Sequence, residues 1–96
     1  MANYSVEIFE RHVNQTCNLH LPDGRSLTAE LVDVRRLHPS QHLKSEQFAV
    51  TWRGPAEPLL QQRIYLMELP DGQRHELFLV PVGRDGAGVI YEAVFT

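Results

Sequence analysis

Several features that would point to a particular class of protein are scarce or missing in this sequence. There is one cysteine, Cys17, so no disulfide can form within the chain, and a cytoplasmic protein is the simplest expectation. Acidic residues outnumber basic ones by 12 to 9, whereas a nucleic-acid-binding domain usually has a basic stripe and a pI above about 9. The sequence therefore predicts no nucleic-acid partner.

Long apolar runs are also missing. The longest, residues 77–82, holds six residues and includes Pro81, whereas crossing a bilayer as a helix takes about 20 apolar residues. The first ten residues have no basic segment followed by a hydrophobic one, so we expect no signal peptide. The sequence therefore predicts neither a membrane span nor a membrane partner.

What the chain does contain is enough apolar material for one small domain. It has 96 residues, of which 43% are hydrophobic and 22% charged, and this size fits a single domain over residues 1–96. A domain this small leaves roughly a third or more of its unfolded surface exposed. We therefore expect a modest core that uses nearly every apolar side chain.

The N-terminal segment has a helical pattern. Ser5 can cap a short helix over residues 6–13, and Ile8 and Phe9 lie on its apolar face. Asn14 follows at the position where a left-handed residue ends a helix, and asparagine tolerates that conformation. We therefore predict one short N-terminal helix that stops at Asn14.

The rest of the chain alternates apolar and polar residues, as half-buried strands do. Two Leu-Pro-Asp-Gly segments, 21–24 and 69–72, are typical of hairpin turns, because proline fixes its own φ and glycine accepts a positive one. A change of phase near Leu31 indicates a β-bulge, and Pro81 is expected at a sheet edge or a strand end. The strand pattern covers residues 16–21, 27–34, 47–53, 63–69, 77–82 and 89–95.

These strands predict a mostly β fold, in which about six antiparallel strands form a curled sheet that is closed or nearly closed into a barrel. A two-sheet sandwich is the alternative. Residues that share a strand phase are expected to face one core: Phe48, Val50, Tyr91, Ala93 and Phe95. We also place Phe78 and Trp52 in the interior, which argues against a large cavity.

Few residues form a pattern that could carry chemistry. His38 and His42 have the spacing of two metal ligands on one helical face, but Pro39 lies between them and no third ligand is obvious nearby. Cys17 alternates in phase with neighbouring leucines, so we expect it to pack in the core rather than act as a nucleophile. We expect no catalytic residue, no cofactor and no bound metal.

The candidate interaction surface consists of Trp52, Arg53, His38 and His42. Trp52 would anchor an interface if its neighbours left it uncovered, although its phase in the strand favours the core. Arg53 could face an acidic partner, or acidic residues on adjacent strands could neutralise it.

Several segments resemble a known family. Residues 48–54 read FAVTWRG, residues 77–83 read LFLVPVG and residues 91–95 read YEAVF, while an asparagine at position 14 replaces the family's glycine after Val13. With these segments, nearly the whole chain resembles DUF6916, a family of small bacterial domains of unknown function. The resemblance implies a compact bacterial domain with no established activity, cofactor or catalytic residue. It also implies an accessory or assembly role beside phage-tail-collar-like proteins.

We therefore expect a non-catalytic protein-interaction or structural accessory module, either a monomer or a weak homodimer, rather than an enzyme. An exposed edge strand or the two long loops would contact an unidentified protein partner. The alternative is a small-ligand-binding β-barrel with its ligand at the barrel mouth, where the loops at 38–45 and 83–88 would form the rim. An enzyme would need a third ligand or a base beside His38 and His42.

Overall fold

The six strands close into one antiparallel barrel. The computed structural model describes residues 5–37 and 47–95. Its elements are α1 (Val6–Glu10), β1 (Thr16–His20), β2 (Ser26–Arg36), β3 (Phe48–Gly54), β4 (Arg63–Glu68), β5 (Arg74–Asp85) and β6 (Gly88–Phe95). The strand order around the barrel is β1-β2-β3-β6-β5-β4, and β4 pairs with β1 to complete it. The predicted barrel is confirmed, and the sandwich alternative is wrong.

The N-terminal helix is shorter than predicted. It ends at Glu10, and residues 11–14 continue as turns. Ser5 is the N-cap by position, but its side chain makes no capping hydrogen bond with the described residues. So short a helix depends on packing, which Val6 and Phe9 supply because both are fully buried. Asn14 has a φ of 71° and ends the segment, as predicted.

The barrel interior is filled by the side chains that the alternation predicts. Phe48, Val50, Tyr91 and Ala93 are all buried in one core. Phe95 is only partly buried and packs against that core from the end of the barrel. Further buried strand residues complete the interior: Cys17, Leu19, Ala29, Leu31, Trp52, Tyr65, Met67, Leu77, Leu79 and Val89.

Two bulges adjust the pairing. The register between β2 and β3 shifts between Leu31 and Asp33, which confirms the predicted bulge. The register between β5 and β6 shifts between Pro81 and Gly83. Pro81 therefore lies inside β5, and its expected place at an edge or a strand end is wrong. A bulge tolerates proline in the middle of a strand because the ladder of hydrogen bonds is already interrupted there.

The two ends of the barrel differ. One end, which we call the helix end, is covered by α1 and the hairpin at 69–73. The opposite end, the loop end, consists of the hairpin at 21–25, the connection at 55–62 and the turn at 86–87. Both predicted Pro-Asp-Gly turns are confirmed, with φ values of 93° at Gly24 and 90° at Gly72. The expected loop at 83–88 is shorter than predicted, because β5 continues to Asp85.

Candidate interaction surface

The residues predicted to face a partner are not gathered on one surface. Trp52 is fully buried in the core, where its ring meets that of Phe9 edge-on at a centroid distance of 6.0 Å. It shares the inward phase of β3, so the core position that this phase favours is confirmed, and the condition for an interface anchor, an uncovered ring, is not met. His38 and His42 lie outside the described residues, and the predictions about them stay predictions.

Arg53 lies on the outside of the barrel, where two carboxylates hold it. Its Nε donates to Asp85 Oδ2 at 2.9 Å, and its Nη1 donates to Glu30 Oε1 at 3.0 Å. These interactions, chiefly the hydrogen bond to Asp85, raise the pKa of Arg53. Of the two interpretations of this arginine, neutralisation by acidic residues is the one observed, with Glu30 on the adjacent β2 and Asp85 at the end of β5.

The outer surface of β4, β5 and β6 carries large exposed apolar side chains. Ile64, Phe78 and Val94 are 59%, 52% and 53% exposed. Ile64 pairs directly with Phe78 across β4 and β5. The pairing of β5 with β6 begins at Val80 and Glu92, and Val94 follows two residues after Glu92 on the same outer face of β6. Ile64 and Phe78 are therefore cross-strand neighbours, and Val94 lies on the outer face of the next strand.

The interior position predicted for Phe78 is consequently wrong. Residues 77–80 are all apolar, so the sequence pattern does not say which side of the strand faces inward. In the barrel Leu77 and Leu79 take the inward positions, with 2% and 0% exposure, and Phe78 points to solvent. Exposed apolar patches of this kind mark interaction sites in soluble domains.

We call this surface the apolar wall and define it by five outward-facing residues: Ile64, Leu66, Phe78, Val80 and Val94. Two carboxylates border it, since Glu76 pairs with Leu66 and Glu92 pairs with Val80. Glu92 is neutralised by Arg35, whose Nη2 lies 3.3 Å from its Oε2. Glu76 is exposed and has no ion pair within residues 5–37 and 47–95.

The opposite side of the barrel is polar. The outward-facing residues of β1 and of the first half of β2 are Thr16, Asn18, His20, Thr28 and Glu30. His20 Nε2 donates to Glu68 Oε1 at 3.0 Å. The barrel exterior is therefore amphipathic, with its apolar side on β4, β5 and β6.

Closure of the barrel removes the edge strand that was expected to contact a partner. Each of the six described strands has a paired neighbour on both sides. Along the paired stretches the backbone groups are engaged in the sheet, so addition of a partner strand there would require a pairing to open. Residues 33–36 of β2 extend beyond β1 and pair only with β3. The expectation of a whole exposed edge strand is wrong, and unpaired backbone lies at strand ends such as this one.

The barrel interior offers no space for a ligand among the residues that the structure describes. Trp52, Met67 and Tyr91 fill it with at most 2% exposure each. Cys17 is fully buried beside them, and burial raises the pKa of its thiol. Its predicted role as a packing residue is confirmed, because a buried thiol with a raised pKa is a poor nucleophile at neutral pH.

One polar cluster at the helix end was not singled out from the sequence. His12 is 7% exposed, with Nδ1 2.9 Å from Gln15 Oε1 and Nε2 3.2 Å from Asp71 Oδ2. The cluster joins the segment after α1 to the hairpin at 69–73, which explains how a short helix is held on the barrel. Within the described ranges, no group of three or more His, Cys, Asp or Glu side chains could hold a metal ion.

These features define a small closed antiparallel barrel, sealed at one end by a helix and apolar on one outer side. The chain belongs to the family DUF6916, a domain of unknown function, whose model matches residues 4–95. The family resemblance seen in the sequence is thereby confirmed. No curated protein and no solved structure matches the chain. In the part of the chain that the structure covers, no helix is long and apolar enough to cross a membrane.

Proposed function

We propose that this chain is a non-catalytic protein-interaction module and that the apolar wall contacts its protein partner. The observation that carries the proposal is the exposure of the Ile64–Phe78 cross-strand pair and of Val94 on the next strand, each more than half exposed. Full burial of a side chain of this size contributes about 1.5–3 kcal/mol. Covering the exposed half of each would therefore stabilise a complex by about 1 kcal/mol per side chain.

The apolar character of this wall is not a requirement of the fold. The same barrel presents Asn18 and Thr28 on its opposite side, in the same outward-facing strand positions. Residues such as Phe78 contribute little to the core, because Leu77 and Leu79 already fill the inward positions. A binding role explains why these outward positions are apolar.

The border of the wall indicates the chemistry of the partner. Glu76, which forms no ion pair with the residues that the structure describes, places a carboxylate next to Leu66. A protein surface with an apolar centre and a lysine or arginine facing Glu76 would satisfy both features, since charges at an interface rim favour partners of complementary sign. The partner that fits is therefore an apolar protein surface with a basic rim.

The cellular setting is a further part of the proposal. The chain resembles a family of small bacterial domains, some of which are encoded near phage-tail-collar-like proteins. This resemblance supports a cytoplasmic accessory role in an assembly of that kind. One apolar wall on each copy suits a subunit that is contacted from a single side. A small-ligand-binding barrel is less well supported, because Trp52 and Tyr91 occupy the interior that such a ligand would need.

Site-specific photo-crosslinking in the native cell tests the proposal. A photoreactive phenylalanine analogue at Phe78 is expected to capture one protein reproducibly, and the same analogue at Thr28 on the polar side is not. Phe78→Ser should then abolish co-purification of that protein at an unchanged melting temperature, whereas Thr28→Ser should retain it. Equal capture from both positions, or full retention of the protein by Phe78→Ser, would refute the proposal. Capture only of a second copy of the chain would replace it with homodimerisation.

A further inference from the structure

Three arginines surround the loop end of the barrel. Arg25 and Arg84 line one depression of about 520 Å³, and Arg25 and Arg63 line a second of about 250 Å³. Arg25 thus lies between the other two and belongs to both depressions. The chain as a whole carries a net charge of −3, so this end departs from the overall charge of the molecule.

Most other arginines of the barrel already have a carboxylate partner. Arg35, Arg53 and Arg74 each lie within 4 Å of a glutamate or aspartate oxygen. Arg63 and Arg84, by contrast, form no ion pair with any residue that the structure describes. Their guanidinium groups are therefore available to a ligand.

Two acidic side chains also line these depressions. Asp23 lies in the smaller depression and Glu57 in the larger one. Asp23 is already engaged, because its Oδ2 accepts from Arg25 Nε at 2.7 Å and its Oδ1 accepts from the Arg25 backbone N–H at 3.0 Å. This contact orients the Arg25 side chain and leaves its terminal amino groups to make a second contact. Because the Glu57 carboxylate repels negative charge, it favours a ligand whose negative charge stays near Arg84 and Arg25.

The walls between the arginines are apolar. Ala56, Pro58 and Leu59 line the larger depression, and Leu59 is 54% exposed. Leu21, Pro22, Leu60 and Tyr65 contribute to the smaller one. A ligand that contacts both the arginines and these apolar walls has an anionic head group and an apolar portion.

The connection that forms this site is held from inside the barrel. The Tyr91 hydroxyl accepts from the Leu60 backbone N–H at 3.0 Å, and the Tyr65 hydroxyl donates to the Gln61 carbonyl at 2.7 Å. Both tyrosines come from strands, so the connection at 55–62 is fixed to a rigid framework. A prepared site of this kind loses less conformational entropy on binding.

We propose that the loop end binds a small anionic molecule in which a carboxylate or phosphate group is attached to an apolar portion. Arg84 and Arg25 contact the anion, since a guanidinium binds carboxylates and phosphates through two parallel hydrogen bonds. Leu59 and Pro58 contact the apolar portion. The volume of the larger depression lies within the 300–1,000 Å³ typical of small-molecule sites. This site is separate from the apolar wall and does not depend on it.

Titration of the full chain, followed by NMR of the arginine Nε–H groups, tests this proposal. Phenyl phosphate and benzoate supply the two anionic head groups, inorganic phosphate lacks the apolar portion, and phenol lacks the charge. We expect saturable shifts at Arg25 and Arg84 with phenyl phosphate, benzoate or both, and the one that binds identifies the head group. Inorganic phosphate should bind several-fold more weakly, and phenol should cause no saturable shift.

Two variants, each of which replaces a charged arginine with a neutral glutamine, complete the test. Arg84→Gln should weaken binding about tenfold or more, because a hydrogen bond to a charged group contributes about 1.5–3 kcal/mol. Arg11→Gln removes an exposed arginine at the helix end and should change affinity by less than about twofold. Equal weakening by both variants, or shifts that rise linearly without saturation, would overturn the proposal. If Arg84→Gln lowers the melting temperature, Arg25→Gln serves as the second test with the same expectation of weaker binding, because Arg25 is the other arginine that contacts the anion.

Discussion

The hydroxyl group of Tyr91 accepts a hydrogen bond from the backbone N–H of Leu60 at 3.0 Å, which fixes the connection at 55–62 to the barrel. Both groups are buried, so Tyr91→Phe leaves the Leu60 N–H without a partner. We expect a loss of about 1–3 kcal/mol in the free energy of unfolding, measured by urea denaturation. Tyr65→Phe is the control, because the Gln61 carbonyl that it frees can accept from water, and its cost should be smaller. A larger loss for Tyr65→Phe would contradict this account.

A second prediction concerns Gly88. A β-carbon at this position would collide with the carbonyl oxygen of Gly54, which leaves no room for any side chain. Gly88→Ala should therefore cost about 3 kcal/mol or more, or prevent folding. Gly86→Ala, two residues earlier, meets no atom within 4 Å and should stay within about 0.5 kcal/mol of the wild type. Similar melting temperatures for the two variants would show that the turn can shift to accept a side chain.

A third prediction concerns the last described residue of β6. Phe95 stacks on Phe48 at a centroid distance of 4.6 Å and an interplanar angle of 20°, and it lies 5.2 Å from Phe9. Since it is only partly buried, Phe95→Ala should cost about 2–4 kcal/mol, at or below the range for fully buried aromatics. Chemical denaturation measures the loss. A value below about 1 kcal/mol would mean that the strand end is frayed in solution.

The sequence was informative wherever local chemistry decides the structure. The turn at Pro22 and Gly24, the left-handed Asn14 and the bulge after Leu31 follow from residue type and from a change of phase. Alternation correctly assigned the interior of β3 and β6, because each has one clearly apolar face. From these elements a closed antiparallel barrel was predictable.

What the sequence left open depends on contacts between distant segments. Residues 77–80 are apolar on both sides, so only the closure of the barrel decides that Phe78 points outward. Arg25, Arg63 and Arg84 lie on three separate segments, and only the topology brings them to the loop end. Pro81 was misplaced because the bulge that accommodates it arises from pairing with β6, which no local pattern reveals.

The last prediction concerns the three tight turns of the barrel, each of which is held by an aspartate. Asp23 Oδ1 accepts from the Arg25 N–H at 3.0 Å, and Asp71 Oδ1 accepts from the Gln73 N–H at 3.0 Å. Asp85 Oδ1 accepts from the N–H groups of residues 87 and 88 at 2.9 and 3.0 Å. Hydrogen bonds from backbone N–H groups are the largest cause of the lowered pKa of Asp23 and Asp71. For Asp85, the largest cause of the lowered pKa is the hydrogen bond from the Arg53 side chain.

These lowered pKa values predict how stability changes with acid. The ordinary pKa of each carboxyl is 3.8, so the unfolded chain takes up protons before the folded protein as the pH falls. The contribution of the three aspartates is therefore complete well above pH 3.8 and declines as the pH falls below it. Urea denaturation at pH 7, 4 and 2.5 should show this decline. Asp71→Asn keeps an Oδ1 acceptor for the Gln73 N–H but cannot titrate, so it should make the decline shallower. A free energy of unfolding that is unchanged or higher at pH 2.5 would contradict the assignment of these turns as the acid-sensitive part of the barrel.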